Sequence, residues 1–399
     1  MKKEITVIGA GLVGSLLSIY LSRRGYRVSM FERRGDMRKE KLSAGRSINL
    51  ALSDRGLQAL EKVGLAEEIK KISIPMHGRF IHNLEGDPAF QPYGKEGQFI
   101  NSVSRGTLNM KLMDLAEAHG VEIRFNHKCS GIDWDPLAIS FEKPGGESLV
   151  IQPDLLFGAD GAYSAARLQH QLQHDRFDYS QYYIDCGYKE LTIPPNSSGG
   201  FAMEVNALHI WPRKDYMLIA LPNLDCSFTC TLFFPFEGEA SFARLDSPEK
   251  VRAFFEATFP DAVPLMPGYV EDFFTNPTSS LVTVKCFPWI RDDRFALIGD
   301  AAHAIVPFFG QGMNCGFEDC RILDELIGQN GDDWYSILNQ YQDLRKPDAD
   351  AIADLAIGNF TEMRDRTADP GFLLQKKIEA RLHEKYPDQW IPAYSQVTF

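Results

Sequence analysis

Phe295-Ala-Leu-Ile-Gly-Asp-Ala-Ala-His-Ala-Ile-Val-Pro-Phe-Phe-Gly-Gln-Gly-Met-Asn314 is the stretch around which the chain is organised. Its apolar run, Phe295 to Ile298, stops at Gly299-Asp300, which reads as a short buried strand ended by a turn. Pro307, Gly310 and Gly312 follow, and a helical pattern starts near Asn314, with Phe317, Ile322, Leu323, Leu326 and Ile327 as its apolar positions. An aspartate therefore stands at a strand end, and a glycine-rich loop opens a helix. A helix N-terminus offers free N–H groups and a partial positive charge, and glycine lets backbone approach a ligand without an intervening Cβ. Taken alone, the pattern fits either an aspartate that accepts a ribityl or ribose hydroxyl, or a capped tight turn.

Two other glycine-centred segments bear on that choice. Near the N-terminus, Glu4-Ile-Thr-Val-Ile is a strand running into Gly9-x-Gly11-x-x-Gly14. A helix follows (Leu16, Leu17, Tyr20, Leu21), then a second strand, Arg27 to Glu32. Glu32 lies 23 residues after Gly9, where an acid meets a ribose hydroxyl in dinucleotide-binding βαβ units. Farther on, the apolar run after Asp154 ends at Asp160-Gly161, with Ser164 and Arg167 at the start of a helix. That spacing suits a sharp turn beside a pyrophosphate, and also an ordinary strand-to-helix turn.

Composition excludes several classes. The chain has 399 residues and a net charge of −12, so a nucleic-acid partner has no electrostatic footprint. Seven scattered cysteines, with no secretory leader, point to a reducing, cytoplasmic setting. Cys226 and Cys230 lack the second pair that a zinc site needs, so no metal is predicted. No run of about 20 apolar residues is present.

Between these segments, a helix is predicted from Ser53 to about Lys71, and a hairpin over 128–153. In Met76 to Leu84, Arg79 alternates with apolar neighbours and faces inward, where it needs an anionic partner from the protein or from a ligand. Arg46 and Asn49 are polar residues set among small and apolar ones; Arg46 could cap a neighbouring helix. From about Phe177 to Lys285 period-2 strands dominate, including Phe201–Val205, Ala207–Trp211, Tyr216–Leu221 and Ser227–Phe234. Met217, Ile219 and Leu221 share one face there and either roof an aromatic ligand or form plain core. After Asn314 the chain is helical, with separate helices predicted over 333–342, 347–364 and 370–386. The fold class is α/β: a Rossmann-like FAD- or NAD-binding domain, an inserted and mostly antiparallel sheet domain, and C-terminal helices. The expected boundaries are 1–176 and 286–330 for the cofactor domain, 177–285 for the sheet domain and 331–399 for the helical region.

Glycine motif with Glu32, then Asp160-Gly161, then Gly299-Asp300 is an order that resembles the group A flavin-dependent aromatic hydroxylases. Within that group, Gly45 to Gly56, Ser102-Val-Ser-Arg105, Leu208-His-Ile-Trp-Pro-Arg213 and Gly299 to Asn314 look like the branch that hydroxylates L-kynurenine. The similarity runs over essentially the whole chain. It implies bound FAD, NADPH as electron donor and O2 as co-substrate, with oxygen transferred to the ring from a flavin C4a-hydroperoxide. It implies FAD contacts from Gly9, Gly11, Leu12, Val13, Gly14, Glu32, Arg33, Arg105, Asp160, Gly161, Gly299, Asp300, Gly310, Gly312, Met313 and Asn314. For the substrate it implies Arg79 and Tyr93 on the carboxylate, with Asn359 and Tyr394 assisting, in a pocket shared by Met217, Ile219, Leu221, Phe233, Pro307 and Phe308. No residue stands out as a catalytic base, and His303 reads as structural rather than as an acid or base. A related hydroxylase of another anilinic or phenolic acid, or an NAD-dependent dehydrogenase, are the alternatives. A monomer or homodimer is expected, and membrane contact only through a C-terminal continuation of the kind family members carry.

Overall fold

The computed structural model describes residues 3–39, 49–84, 87–95, 97–362 and 370–399. Arg46 lies outside them. A six-stranded sheet carries the cofactor motifs, in the order Ile290–Arg291, Phe295–Leu297, Leu155–Gly158, Glu4–Ile8, Arg27–Phe31, Glu122–Arg124. All its pairs are parallel except the edge pair Ile290–Arg291 with Phe295–Leu297. Buried on both faces, its central strands are near-continuous apolar runs, as parallel sheets require. Four adjacent strands thus point their C-terminal ends the same way. Gly9, Glu32, Asp160 and Gly299-Asp300, far apart in sequence, follow those four ends, and crevices at the carboxyl ends of parallel strands are where such sheets bind ligands.

The second large sheet has seven strands, in the order Ser279–Phe287, Asp178–Ile193, Phe228–Pro235, Tyr216–Pro222, Ala207–Arg213, Gly78–Ile81, Ala89–Pro92. Every pairing is antiparallel except Ala207–Arg213 with Gly78–Ile81. The strand bearing Arg79 joins this sheet although about half of the cofactor sheet's sequence comes after it. Alternation sorts the two faces. Trp211, Leu218, Ala220, Leu232 and Phe234 pack with Val251, Phe255 and Phe273 of the helices Pro248–Thr258 and Tyr269–Thr275. The opposite face carries Arg79, Leu208, Met217, Ile219, Leu221 and Phe233.

Several expected elements differ. Phe201–Val205 forms no strand; Asn196 turns the preceding loop by accepting from the N–H groups of Ser198 and Gly200, and Glu204 accepts from the Asn206 N–H. The helix expected over 53–71 is two, Asp54–Lys62 and Ala66–Lys70, because Gly64 takes a left-handed φ of 74° between them. The region 128–153 is a three-stranded sheet, not one hairpin. Trp334–Thr361 is a single helix that runs through Pro347. Proline inside a helix costs about 3 kcal/mol, and here the flanking Arg345 and Lys346 are both held by ion pairs, to Asp319 and Asp350 respectively. No helix among the described residues is long and apolar enough to cross a membrane.

Candidate active site

The glycine motif is built for close backbone approach. Gly9 has a φ of 104°, and a Cβ there would stand 2.5 Å from the Ala159 carbonyl oxygen. A Cβ at Gly14 would meet the Gly9 oxygen at 2.0 Å, so the strand and helix can pack this tightly only with glycine at both positions. Leu12 and Val13 begin the helix Leu12–Arg23. Glu32 is 7% exposed and accepts from the Ala10 N–H at 3.1 Å, while Arg34 Nε donates to its other oxygen at 2.8 Å. Arg33 and Arg105 are exposed.

The two aspartates at the strand ends differ. Asp160 is occupied: Ser164 Oγ and the N–H groups of Ala165 and Ala166 all donate to its carboxylate, at 2.5, 2.7 and 3.2 Å, so it caps the helix Ala165–Leu172. Arg167 then donates to the carbonyls of Ala301 and Ala162, at 2.7 and 2.6 Å, and ties the Asp160-Gly161 turn to the Gly299-Asp300 turn. Asp300 accepts no hydrogen bond from any described residue. Burial pushes its carboxyl upward, with Arg105 and His303 opposing. The residue is half-buried, so its carboxylate is open to a donor from outside the protein.

Asn314 is also fully used. Its Oδ1 accepts from the Ser53 N–H at 3.1 Å, and its Nδ2 donates to the carbonyls of Ala51 and Gly310, both at 2.8 Å. It fixes the loop through Gly310 (φ 68°) to the strand Asn49–Leu52. Gly312 and Met313 open the helix Gly312–Asn330 with free N–H groups, and the buried Gln311 Oε1 nearby has no partner. An unpartnered carboxylate, a glycine turn with no room for a Cβ and a helix N-terminus at one sheet edge fit a ligand with hydroxyl and phosphate groups. FAD is such a ligand.

Behind the Gly299-Asp300 turn lies a network that the sequence did not disclose. Asp319 is fully buried. It accepts from the Gly299 N–H at 3.1 Å, from His303 Nε2 at 2.6 Å and from Arg345 Nε at 2.7 Å. Arg345 also pairs with Glu318 at 2.8 Å and contacts Cys315 Sγ at 3.3 Å. The signal was present but weak: Cys315, Asp319 and Leu323 recur at intervals of four on a helix face whose other members are apolar. His303, Cys315 and Asp319 offer three ligand atoms within 4.8 Å of one another. The guanidinium of Arg345 already occupies the place of a cation there.

Across the cleft, Arg79 lies on the sheet face paired with Leu208. No described carboxylate pairs with it. Its guanidinium carbon sits 5.2 Å from the Tyr93 ring centre and 4.7 Å from that of Tyr394, and the two rings stack at 5.3 Å. Arg79 Nε and the Tyr93 hydroxyl are both buried without hydrogen-bond partners among the described residues, and burial pushes the Tyr93 phenol upward. From Tyr394 an aromatic lining continues: Tyr394 stacks on Phe309 at 5.5 Å, Phe308 lies 4.9 Å from Phe233, and Phe360 lies 4.4 Å from Phe308. Phe308 and Phe309 belong to the turn Pro307–Phe309 that leads into the helix Gly312–Asn330. Asn359 Nδ2 donates to the Phe308 carbonyl at 2.6 Å, so that amide group holds the turn. Met217 packs with Phe233 in the main core, while Leu221 and Ile219 join a small cluster with Met76, Tyr93, Ile100 and Tyr394.

Comparison with known proteins agrees with this geometry. Residues 2–356 match the family described as FAD binding domain. In solved structures, a 2-methyl-3-hydroxypyridine-5-carboxylic acid oxygenase variant has the same fold, with a TM-score of 0.75 at 21% identity over 99% of this chain and all of that one. The tetracycline destructase Tet(51) superposes with a TM-score of 0.68 at 19% identity, over 99% of this chain and 100% of the other. These define a flavin hydroxylase fold. Kynurenine 3-monooxygenase of Flavobacterium johnsoniae is 53% identical over 99% of this chain and 88% of its own length. The Sus scrofa protein of the same name is 45% identical over 100% of this chain and 84% of its own length. The chain belongs to the FAD binding domain family and, within it, to the kynurenine 3-monooxygenases.

Proposed function

We propose that the protein hydroxylates L-kynurenine on the ring carbon ortho to its amine, consuming NADPH, a proton and O2 and releasing 3-hydroxykynurenine, NADP and water. The observation that carries this reading is Arg79, an inward guanidinium with no carboxylate partner among the described residues, held against the stacked rings of Tyr93 and Tyr394 at the end of a row of aromatic side chains. The substrate has the matching parts, an amino-acid carboxylate at one end and an aromatic ring at the other. When bound, FAD supplies the reducing equivalents taken from NADPH and the activated oxygen.

The chain's own residues bind, orient and exclude water. Arg79 takes the carboxylate through its planar fork of donors, and the Tyr93 hydroxyl adds a neutral donor beside it. With that end fixed, the ring lies among Phe233, Phe308, Leu221 and Ile219, against the turn Pro307–Phe309. Gly9, Gly11, Gly14, Glu32, Asp300 and the N-terminus of the helix Gly312–Asn330 hold the cofactor at the sheet edge. Apolar walls from Ile305 to Phe309 keep the reacting centre dry, which protects a reactive oxygen donor from water. No strong protein base is required, because the substrate's own ring amine activates the ring. Arg33 and Arg105, both exposed, meet the cofactor's charged groups from the solvent side.

Product analysis with L-kynurenine, NADPH and labelled O2 tests the reading. Mass spectrometry should find one labelled oxygen on the ring. Label arriving from water would sink it, and NADPH oxidation stimulated by another anilinic or phenolic acid, but not by kynurenine, would move the substrate.

A further inference from the structure

His303, in the short helix Asp300–His303 that follows a strand of the cofactor sheet, is not used by the binding scheme above, yet it is closely surrounded. It is 2% exposed, and its Nε2 lies 2.6 Å from a carboxylate, Asp319, that is itself fully buried. That contact requires a proton on Nε2, because an ionised carboxylate can only accept. The other ring nitrogen, Nδ1, faces Cys315 Sγ at 3.8 Å, and Trp289 covers the ring at 5.1 Å between centres. The charges around the ring form one network. Asp319 is shared by His303 and Arg345 at 2.6 and 2.7 Å, and Glu318 by Arg345, Arg55 and Arg321 at 2.8, 3.0 and 3.4 Å. Asp300, at the other end of the short helix Asp300–His303, has no ion pair among the described residues, and exposed Arg105 is a further cation acting on it.

From this arrangement we infer that His303 is a buried imidazolium, locked by Asp319, that places a fixed positive charge behind the Gly299-Asp300 turn and raises the reduction potential of the bound flavin. Asp319 is then a positioning residue with two tasks, holding the Gly299 N–H in place and keeping the imidazole charged. The surroundings support the charge. Burial works against it, but Asp319 and Cys315 together outweigh burial and hold His303 well above the usual histidine range. For Asp319 burial is likewise opposed and exceeded, by His303 and Arg345, and its carboxyl lies below the usual range. A positive charge fixed near the cofactor favours the electron-rich reduced flavin over the oxidised one.

The inference rests on FAD occupying this edge, and the test separates the two. His303→Gln keeps an N–H donor for Asp319 and removes only the charge, so the turn stays tethered. In the purified FAD-loaded wild type, with histidine nitrogens isotopically labelled, NMR at a pH of about 8 should show both ring nitrogens of His303 protonated, above the free value of about 6.5. The resonance is assigned by its absence from His303→Gln. The two-electron flavin potential of His303→Gln should fall by the equivalent of a tenfold change in relative affinity for reduced and oxidised flavin, about 30 mV. A neutral His303 at that pH, or a variant with the wild-type potential, overturns the inference even if FAD affinity drops. Wild-type protein that binds no flavin would instead overturn the cofactor reading itself.

Discussion

Arg345 and Arg79 are both carried inward by the fold, and they are provided for in opposite ways. Arg345 has Asp319 on its Nε, Glu318 on Nη1 and Cys315 on Nη2. Arg79 has two tyrosine faces, no described carboxylate and a buried Nε without an acceptor. The first arrangement is complete in the protein alone. The second has no anionic partner among the described residues, and on the proposed reading an anion from outside completes it, which would separate a structural guanidinium from a receptor.

The largest effect should come from breaking the completed side. Arg345→Leu leaves Asp319 with His303 as its one remaining cationic partner and removes the Arg345–Glu318 pair as well, and removing one partner of a buried ion pair costs about 3–5 kcal/mol of stability. Urea unfolding measures it, and Arg79→Leu in the same assay should show no comparable loss. Equal losses at both positions would erase the contrast.

A smaller effect is expected at the cofactor edge. Glu32→Ala removes the carboxylate that holds the Ala10 N–H and that, on the proposed reading, accepts from the ribose, and a charge-assisted hydrogen bond is worth about 1.5–3 kcal/mol. Fluorescence titration of released FAD should show correspondingly weaker retention, with the fold intact. At the Arg79 end, Tyr93→Phe removes a hydroxyl that has no hydrogen-bond partner among the described residues. Stability should not fall, whereas KM for kynurenine should rise by the equivalent of about 0.5–1.5 kcal/mol at nearly constant kcat. A loss of stability would mean that the hydroxyl serves the fold.

The mildest test is pH. His303 binds its proton more tightly folded than unfolded. Its contribution is therefore present in full below the unfolded value of about 6.5 and is lost as pH rises through the elevated folded value. Unfolding of wild type and His303→Gln across that alkaline range should converge as pH rises. A constant gap would show that no proton is involved.

Local motifs were legible and distant pairings were not. Gly9, Glu32, Asp160 and Asp300 announce themselves because each ends a short apolar strand, and parallel pairing brings those ends to one edge. The alternation around Arg79 marked it as inward before any partner was visible. What each polar group does once buried depended on three-dimensional neighbours. Asp160 and Asp300 follow the same kind of strand end, yet one caps a helix and the other has no donor among the described residues. Asn314 is spent on Ala51, Ser53 and Gly310, the first two more than 260 positions away in sequence. Asp319 and Arg345 are 26 residues apart on two helices, so no spacing rule links them. The proline at 347 predicted a break because local propensity is all a sequence pattern sees, and packing across that helix prevailed.

The central claim, that Arg79 receives the substrate's carboxylate, is tested most directly by kynurenine affinity. Binding of L-kynurenine to the FAD-loaded protein, followed through the flavin spectrum, should weaken by about 2–5 kcal/mol in Arg79→Ala, at least thirtyfold by the roughly 1.4 kcal/mol per decade relation, while FAD stays bound. Near-normal kynurenine affinity in that variant would contradict the account and place the carboxylate elsewhere.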